Sequence, residues 1–279
     1  MFADQIDQID QIMTLPQVVG QINELVESRT ASASDLHRVI KADPALSTKI
    51  LRLVNSAYYG LPGRVGSLEK AIILLGVMAV KNLAIAAGVE QLFKRITISG
   101  PLTGRDLWLH CLAVATGGRE LAQRAGLAHL EEVFMAGMIH DLGLLAAAQV
   151  APADFAEVVQ ACMGSQTSWL VAEMEILGIT HPAAGARLAE KWHFPGYLVA
   201  MVADHHDWPS KPDSSDLAGV VWLADTMACG LADGFTLTAS RQTIEPEMAA
   251  KLGLTQQDLA EVWQNLPAHV EELAGRLRV

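Results

Sequence analysis

Apolar residues recur along this chain at the spacing of one helix face. Leu36, Val39 and Ile40 follow an i, i+3, i+4 pattern, and Ile50, Leu51, Leu53 and Val54 continue it in a second helix behind Asp43-Pro44. Proline suits a first helical position because it has no N–H to leave unsatisfied, and Asp43 can cap the helix that follows. Ser67 can cap a helix over 68–76, its hydroxyl accepting from a free backbone N–H one turn in. Further helices are predicted over 106–124, 130–148, 181–192, 195–204, 220–231 and 255–278. Alternation at 96–98 and 235–238 is too short to support a sheet. The pattern predicts an all-α fold. The breaker-rich segment TISGPLTG, at 97–104, is the best internal boundary, giving an amino-terminal helical lobe over 1–100 and a second helical lobe with its tail over 101–279.

With 279 residues, 51% of them hydrophobic and 18% charged, the chain can bury a sizeable core, which excludes disorder as its main state. A mean hydropathy of +0.26 raises the question of a membrane. The apolar run 71–80 has ten residues, and 135–148 is interrupted by His140-Asp141. Both fall short of the roughly 20 residues a spanning helix needs. The start, MFADQIDQIDQIM, is acidic and lacks the basic opening of a signal peptide, so a cytoplasmic protein is expected. Cys111, Cys162 and Cys229 form no CxxC pair and fit buried thiols in a reducing compartment. A net charge of −11 and 5% aromatic residues argue against a nucleic-acid partner and against an anionic membrane surface.

Candidate chemistry lies in an ordered series: His110, His140-Asp141, His181, His205-His206 and Asp225. Neutral imidazole suits divalent transition metals, and a carboxylate can bridge two of them. Taken singly, each residue has another reading. His110 in LWLHCLAVA could be a hydrogen-bonded core histidine, His181 a helix-start residue, and Asp225 a core aspartate satisfied by backbone. Asp106 stands four before His110 on the same face, yet it also stands three after Thr103, where it would complete a capping box. The joint order carries the argument, because buried ionisable groups are costly without partners. The loop WPSKPDSS at 208–215 could cover such a site or be a plain surface turn.

The order H…HD…H…HH…D resembles the HD superfamily of metal-dependent phosphohydrolases in its HD-GYP-like, two-metal form. His140 follows His110 by 30 residues, His205 follows His181 by 24, and Asp225 follows His206 by 19. The run DPALSTKILRLVNSAYYGLPGRVGSLEKAIILLGVMAVKNL, from Asp43 to Leu83, is similar to the HDOD domain, an HD-related signalling module, most specifically in NSAYYG and AIILLG. The tail beyond 232 matches neither pattern. The resemblance implies an HD-superfamily helical bundle with an added amino-terminal lobe. It implies one ion held by His110, His140, Asp141 and Asp225, and a second by His181, His205 and His206 with Asp141 bridging. Two divalent transition metals are then expected, iron foremost, with manganese, zinc or nickel admitted. The function implied is that of a regulatory signalling protein, with a protein partner, that retains its metals. The alternative is hydrolysis of a phosphoester ligand, for which Asp141 would be the catalytic carboxylate. Two departures bear on that alternative. Leu144 stands where HD-GYP-like enzymes carry lysine, and HHDWPSKP replaces their GYP loop, so a cyclic dinucleotide substrate is not expected.

Overall fold

The computed structural model describes residues 2–6, 17–27, 32–94, 102–164, 167–211, 215–231, 238 and 242–277. Among them the regular structure is helical throughout. In chain order it comprises α1 (Phe2–Gln5), α2 (Gln17–Glu27), α3 (Ala33–Lys41), α4 (Pro44–Val54), α5 (Leu68–Leu75), α6 (Val77–Lys94), α7 (Gly104–Arg124) and α8 (Leu130–Ile139). It continues with α9 (Leu142–Val150), α10 (Pro152–Gly164), α11 (Trp169–Ile176), α12 (His181–Lys191), α13 (Gly196–Asp204), α14 (Asp216–Ala228), α15 (Pro246–Lys251) and α16 (Gln256–Leu277). The segment 96–98 and all of 235–238 except Thr238, which lies in a turn, fall outside the described residues.

The chain forms two compact units, each drawing on both ends of the sequence. One consists of Met1–Thr14 with Phe93–Pro267, the other of Leu15–Leu92 with Ala268–Val279.

In the smaller unit α3 packs on α2, α4 and α5 around Val19, Ile22, Leu36, Ile40, Ile50 and Leu53. Local chemistry sets these helix starts. Asp43 accepts from the Leu46 backbone N–H at 2.9 Å with Pro44 behind it, and Ser67 accepts from Lys70 N–H at 3.2 Å. The NSAYYG segment forms a short 3₁₀ turn over Ala57–Tyr59, closed by Gly60 in the left-handed region. Asn55 holds the loop beyond it. Its amide nitrogen donates to Leu51 O and Val65 O, and its carbonyl accepts from Val65 N–H at 2.7 Å. A buried ion pair, Lys49 Nζ to Glu90 Oε2 at 2.9 Å, lies inside this unit.

In the larger unit α7 packs on α8 and α14, and α12 packs on α9 and α13. Leu107, Val114, Val133, Phe134, Met138, Leu145, Leu188, Val202 and Leu223 fill the space between them. The stretch 130–148, read from sequence as one helix, is instead two. α8 ends at Ile139 and α9 begins at Leu142, with His140 and Asp141 at the junction. By length and hydropathy Leu130–Val150 also has the character of a membrane span, contrary to the shorter run counted from sequence. It is broken at the junction and 89% of its apolar window is buried, so it forms core helices of this unit.

Two glycines make the junction possible. A Cβ on Gly137 would lie 2.5 Å from Ala115 backbone atoms, and one on Gly143 would lie 2.0 Å from the His181 carbonyl oxygen. Only glycine permits α8 to approach α7, and α9 to approach α12, this closely.

Candidate metal centre

Each residue of the histidine–aspartate series sits where a helix of the larger unit places it. His110 is midway along α7 and Asp225 is within α14. His140 and Asp141 occupy the break between α8 and α9. His181 is the first residue of α12, with Pro182 behind it, and His205-His206 follow the last turn of α13. All seven side chains are buried, His206 the least at 9% exposed. Asp106 lies apart from them. It accepts from Thr103 N–H and Oγ1 at 2.8 and 2.7 Å, forming the capping box that starts α7.

The seven side chains form two groups of three around one carboxylate. In the first group His110 Nε2 lies 3.2 Å from His140 Nε2 and 3.1 Å from Asp225 Oδ1. In the second, His181 Nε2 lies 3.2 Å from His205 Nε2 and 3.0 Å from His206 Nε2. Asp141 stands between them. Its Oδ2 is 3.3 Å from His140 Nε2 and 3.5 Å from His110 Nε2, and its Oδ1 is 3.3 Å from His181 Nε2 and 3.7 Å from His205 Nε2.

The outer nitrogens decide what the inner ones can do. Nδ1 of His140 is 2.8 Å from Gly137 O, Nδ1 of His205 is 2.6 Å from Val202 O, and Nδ1 of His181 is 2.8 Å from Glu173 Oε2. Each of these acceptors requires the imidazole proton on Nδ1, which leaves Nε2 a bare lone pair. His206 is contacted on its outer nitrogen by Gln242. Thr226 Oγ1 lies 2.8 Å from Trp222 O and 2.7 Å from Gln242 Oε1. The Gln242 amide nitrogen lies 2.7 Å from His206 Nδ1. The inward-facing lone pairs of His140, His181 and His205 therefore meet the oxygens of Asp141. Neither oxygen of Asp141, nor Oδ2 of Asp225, has a hydrogen bond. Buried acceptors facing one another repel unless a cation lies among them. Three histidines on one side, two histidines and a second carboxylate on the other, and a shared carboxylate are a donor set suited to transition metals.

Burial raises the pKa of Asp141 and Asp225, but the surrounding imidazoles overcome it and hold both carboxyls well below the usual carboxylate range. Burial, with His205 adding, keeps His206 neutral well below the ordinary histidine range. As pH falls below about 6.5, an unfolded chain protonates this histidine while the folded chain does not. The metal-free protein is accordingly expected to lose stability from neutral pH downward, with a lower urea midpoint at pH 5.5 than at pH 7.5. An unchanged midpoint would contradict this assignment.

Three residues of the site were not singled out from sequence. Glu173, fully buried in α11, accepts from both the backbone N–H and Nδ1 of His181 and from Trp169 Nε1. Gln242 had no sequence signal at all. Cys111 lies beside His140 and Asp141, and burial, with Asp141 and Asp225 adding, pushes its thiol up, so it enters as a neutral thiol. Partners that orient a liganding imidazole typically contribute about 10–100-fold to metal affinity. Glu173→Ala is expected to weaken metal retention by that order in a chelator-competition titration.

Residues 12–208 match the HDOD domain family. An uncharacterized protein of Treponema pallidum (strain Nichols) is 26% identical over 208 residues, which cover 74% of this chain. The chain spans 40% of that relative's length. Among solved structures, an HDOD domain protein of unknown function from Geobacter sulfurreducens superposes with a TM-score of 0.80 at 21% identity, covering 99% of this chain and 95% of its own. A candidate phosphohydrolase of Shewanella amazonensis SB2B superposes with a TM-score of 0.75 at 24% identity, covering 99% and 98%. These likenesses show the all-helical fold. With the family match spanning most of its length, the chain belongs to the HDOD family.

Proposed function

We propose that this chain is a regulatory HDOD protein built around a dinuclear transition-metal centre, and that the centre serves signalling more than turnover. His110, His140 and Asp225 would hold one ion and His181, His205 and His206 the other, with Asp141 shared. The observation that carries this reading is the division of Asp141: Oδ2 faces the first group and Oδ1 the second. Bound there, such a pair of ions supplies Lewis acidity toward an oxygen ligand. The chain's own residues orient the imidazoles, exclude water and fix the ligand tautomers.

Burial of all seven side chains favours regulation over open catalysis. A phosphoester substrate also needs donors for the charge that develops on it. Leu144, at the lysine position, is fully buried and apolar, Arg187 is exposed, and Lys211 is paired with Asp204. The Trp208 turn does not supply a donor either, since its indole is buried against Gly219.

The hydrolytic reading keeps one supporting feature, the two-group arrangement itself. The two readings separate in an assay of metal-supplemented protein with bis(p-nitrophenyl) phosphate and with cyclic di-GMP. Weak, chelator-sensitive cleavage of the aryl diester and little of the cyclic dinucleotide is expected. Rapid cyclic dinucleotide hydrolysis would overturn the regulatory reading.

A further inference from the structure

The most specific sequence motif of the smaller unit, NSAYYG, has no part in the metal centre, yet its Asn55 lines a cavity. This cavity, of about 780 Å³, lies within the smaller unit and is lined by residues that include Arg52, Arg64, Arg276, Leu51, Leu61 and Val65. Its volume falls in the range of small-molecule sites, well beyond a lone phosphate, and it is open on one side. Three guanidinium groups line it in a chain whose net charge is −11, and none of the described lining residues is acidic. Arg276 contacts Glu272 at 3.3 Å, and that carboxylate also accepts from the Ala57 backbone N–H at 2.7 Å. The pair ties the last turns of α16 to the motif's 3₁₀ turn.

Hydrogen bonds from α4 order the loop that carries Arg64. Asn55 clamps Val65 by a pair of backbone hydrogen bonds, and Gly63 adopts φ +83°, a conformation that favours glycine. Asn55 is fully used in holding this loop, so its role is to shape the cavity. The guanidinium fork matches phosphate oxygens in pairs, and several such groups together suit a polyphosphate. Leu51 and Leu61, both half-buried, add apolar surface on which a base and sugar can rest. We propose that this cavity binds a nucleoside polyphosphate through Arg52, Arg64 and Arg276, independently of the metal centre.

The test is equilibrium dialysis of the full chain against ATP, GTP, adenosine, guanosine and inorganic pyrophosphate at physiological salt. Wild type is compared with Arg52→Gln, Arg64→Gln and Asp141→Ala. Arg52 and Arg64 are exposed, so their replacement leaves the core intact, which circular dichroism verifies. The expected result is saturable binding of ATP or GTP, at least tenfold tighter than that of pyrophosphate or either nucleoside. Each arginine change should weaken it at least tenfold, and Asp141→Ala should leave it unchanged. Absence of saturable nucleotide binding would overturn the proposal. So would binding that survives both arginine changes, or binding that vanishes with Asp141→Ala, which would place the nucleotide at the metals. Pyrophosphate binding as tightly as the nucleotide would overturn the assignment of a nucleoside polyphosphate.

Discussion

Replacing Asp141 by alanine is expected to deplete both metal positions together and to cost more metal than any other single substitution. The reason is its placement. Asp141 presents one oxygen to the inner Nε2 atoms of each group, whereas Asp225 reaches the second group only at the outer nitrogen of His206, 3.5 Å from its Oδ2. Its removal takes a charged ligand from both ions and leaves two sets of imidazoles sharing a single carboxylate, Asp225. Losing a partner that merely orients a ligand costs about 10–100-fold in affinity, so losing a ligand shared by both ions should exceed that. Asp225→Ala is the comparison, expected to deplete chiefly the ion beside His110 and His140. Metal content and dissociation constants of the two variants, measured after dialysis against a chelator series, check this. Equal and partial losses in both would argue against a bridging role for Asp141.

The second large effect is expected from Gly143→Ala, a substitution with no change in charge or ligand. The added methyl would sit 2.0 Å from the His181 carbonyl oxygen and 2.7 and 2.8 Å from the next backbone atoms, none of which belongs to a flexible side chain. Overpacking a well-filled interior costs about 1–3 kcal/mol, and more where backbone must yield. α9 would have to move away from α12, separating Asp141, which precedes α9, from His181, which opens α12. Stability and metal content should fall together. Gly20→Ala, in α2, meets nothing within 4 Å and should be neutral or slightly stabilising, as alanine is the better helix former. Urea denaturation and metal analysis of the two variants read out the contrast. A Gly143→Ala protein as stable and as metal-rich as wild type would show that this approach is not tight.

Much of the helical order was legible because caps and periodicity are local. Asp43 before Pro44, Ser67 before Leu68 and Thr103 with Asp106 start helices where the sequence places them. For Asp106 the structure also resolves an ambiguity in favour of the cap, since its carboxylate is spent on Thr103. The break at His140-Asp141 was not legible. The stretch Leu130–Val150 is apolar on every side, so no periodicity marks an interruption. What breaks it is tertiary, the close approach of Gly143 to His181. The seven histidines and aspartates were readable as a series because they are ordered in the chain, and the structure gathers all seven in one buried place. Glu173 and Gln242 were not, because nothing in one sequence distinguishes a buried glutamate from a solvated one. In the tail beyond 232 the helix expected over 255–278 is found as α16, but what it packs on was not legible. Its α16 is tied to α7 by Arg124, which reaches Asp258 and Glu261 at 3.2 and 2.7 Å.

The central claim is that the buried histidines and aspartates hold a pair of transition-metal ions. Elemental analysis of freshly purified, metal-supplemented protein tests it most directly. The account predicts close to two transition-metal ions per chain. Less than a few tenths of an ion per chain would contradict it.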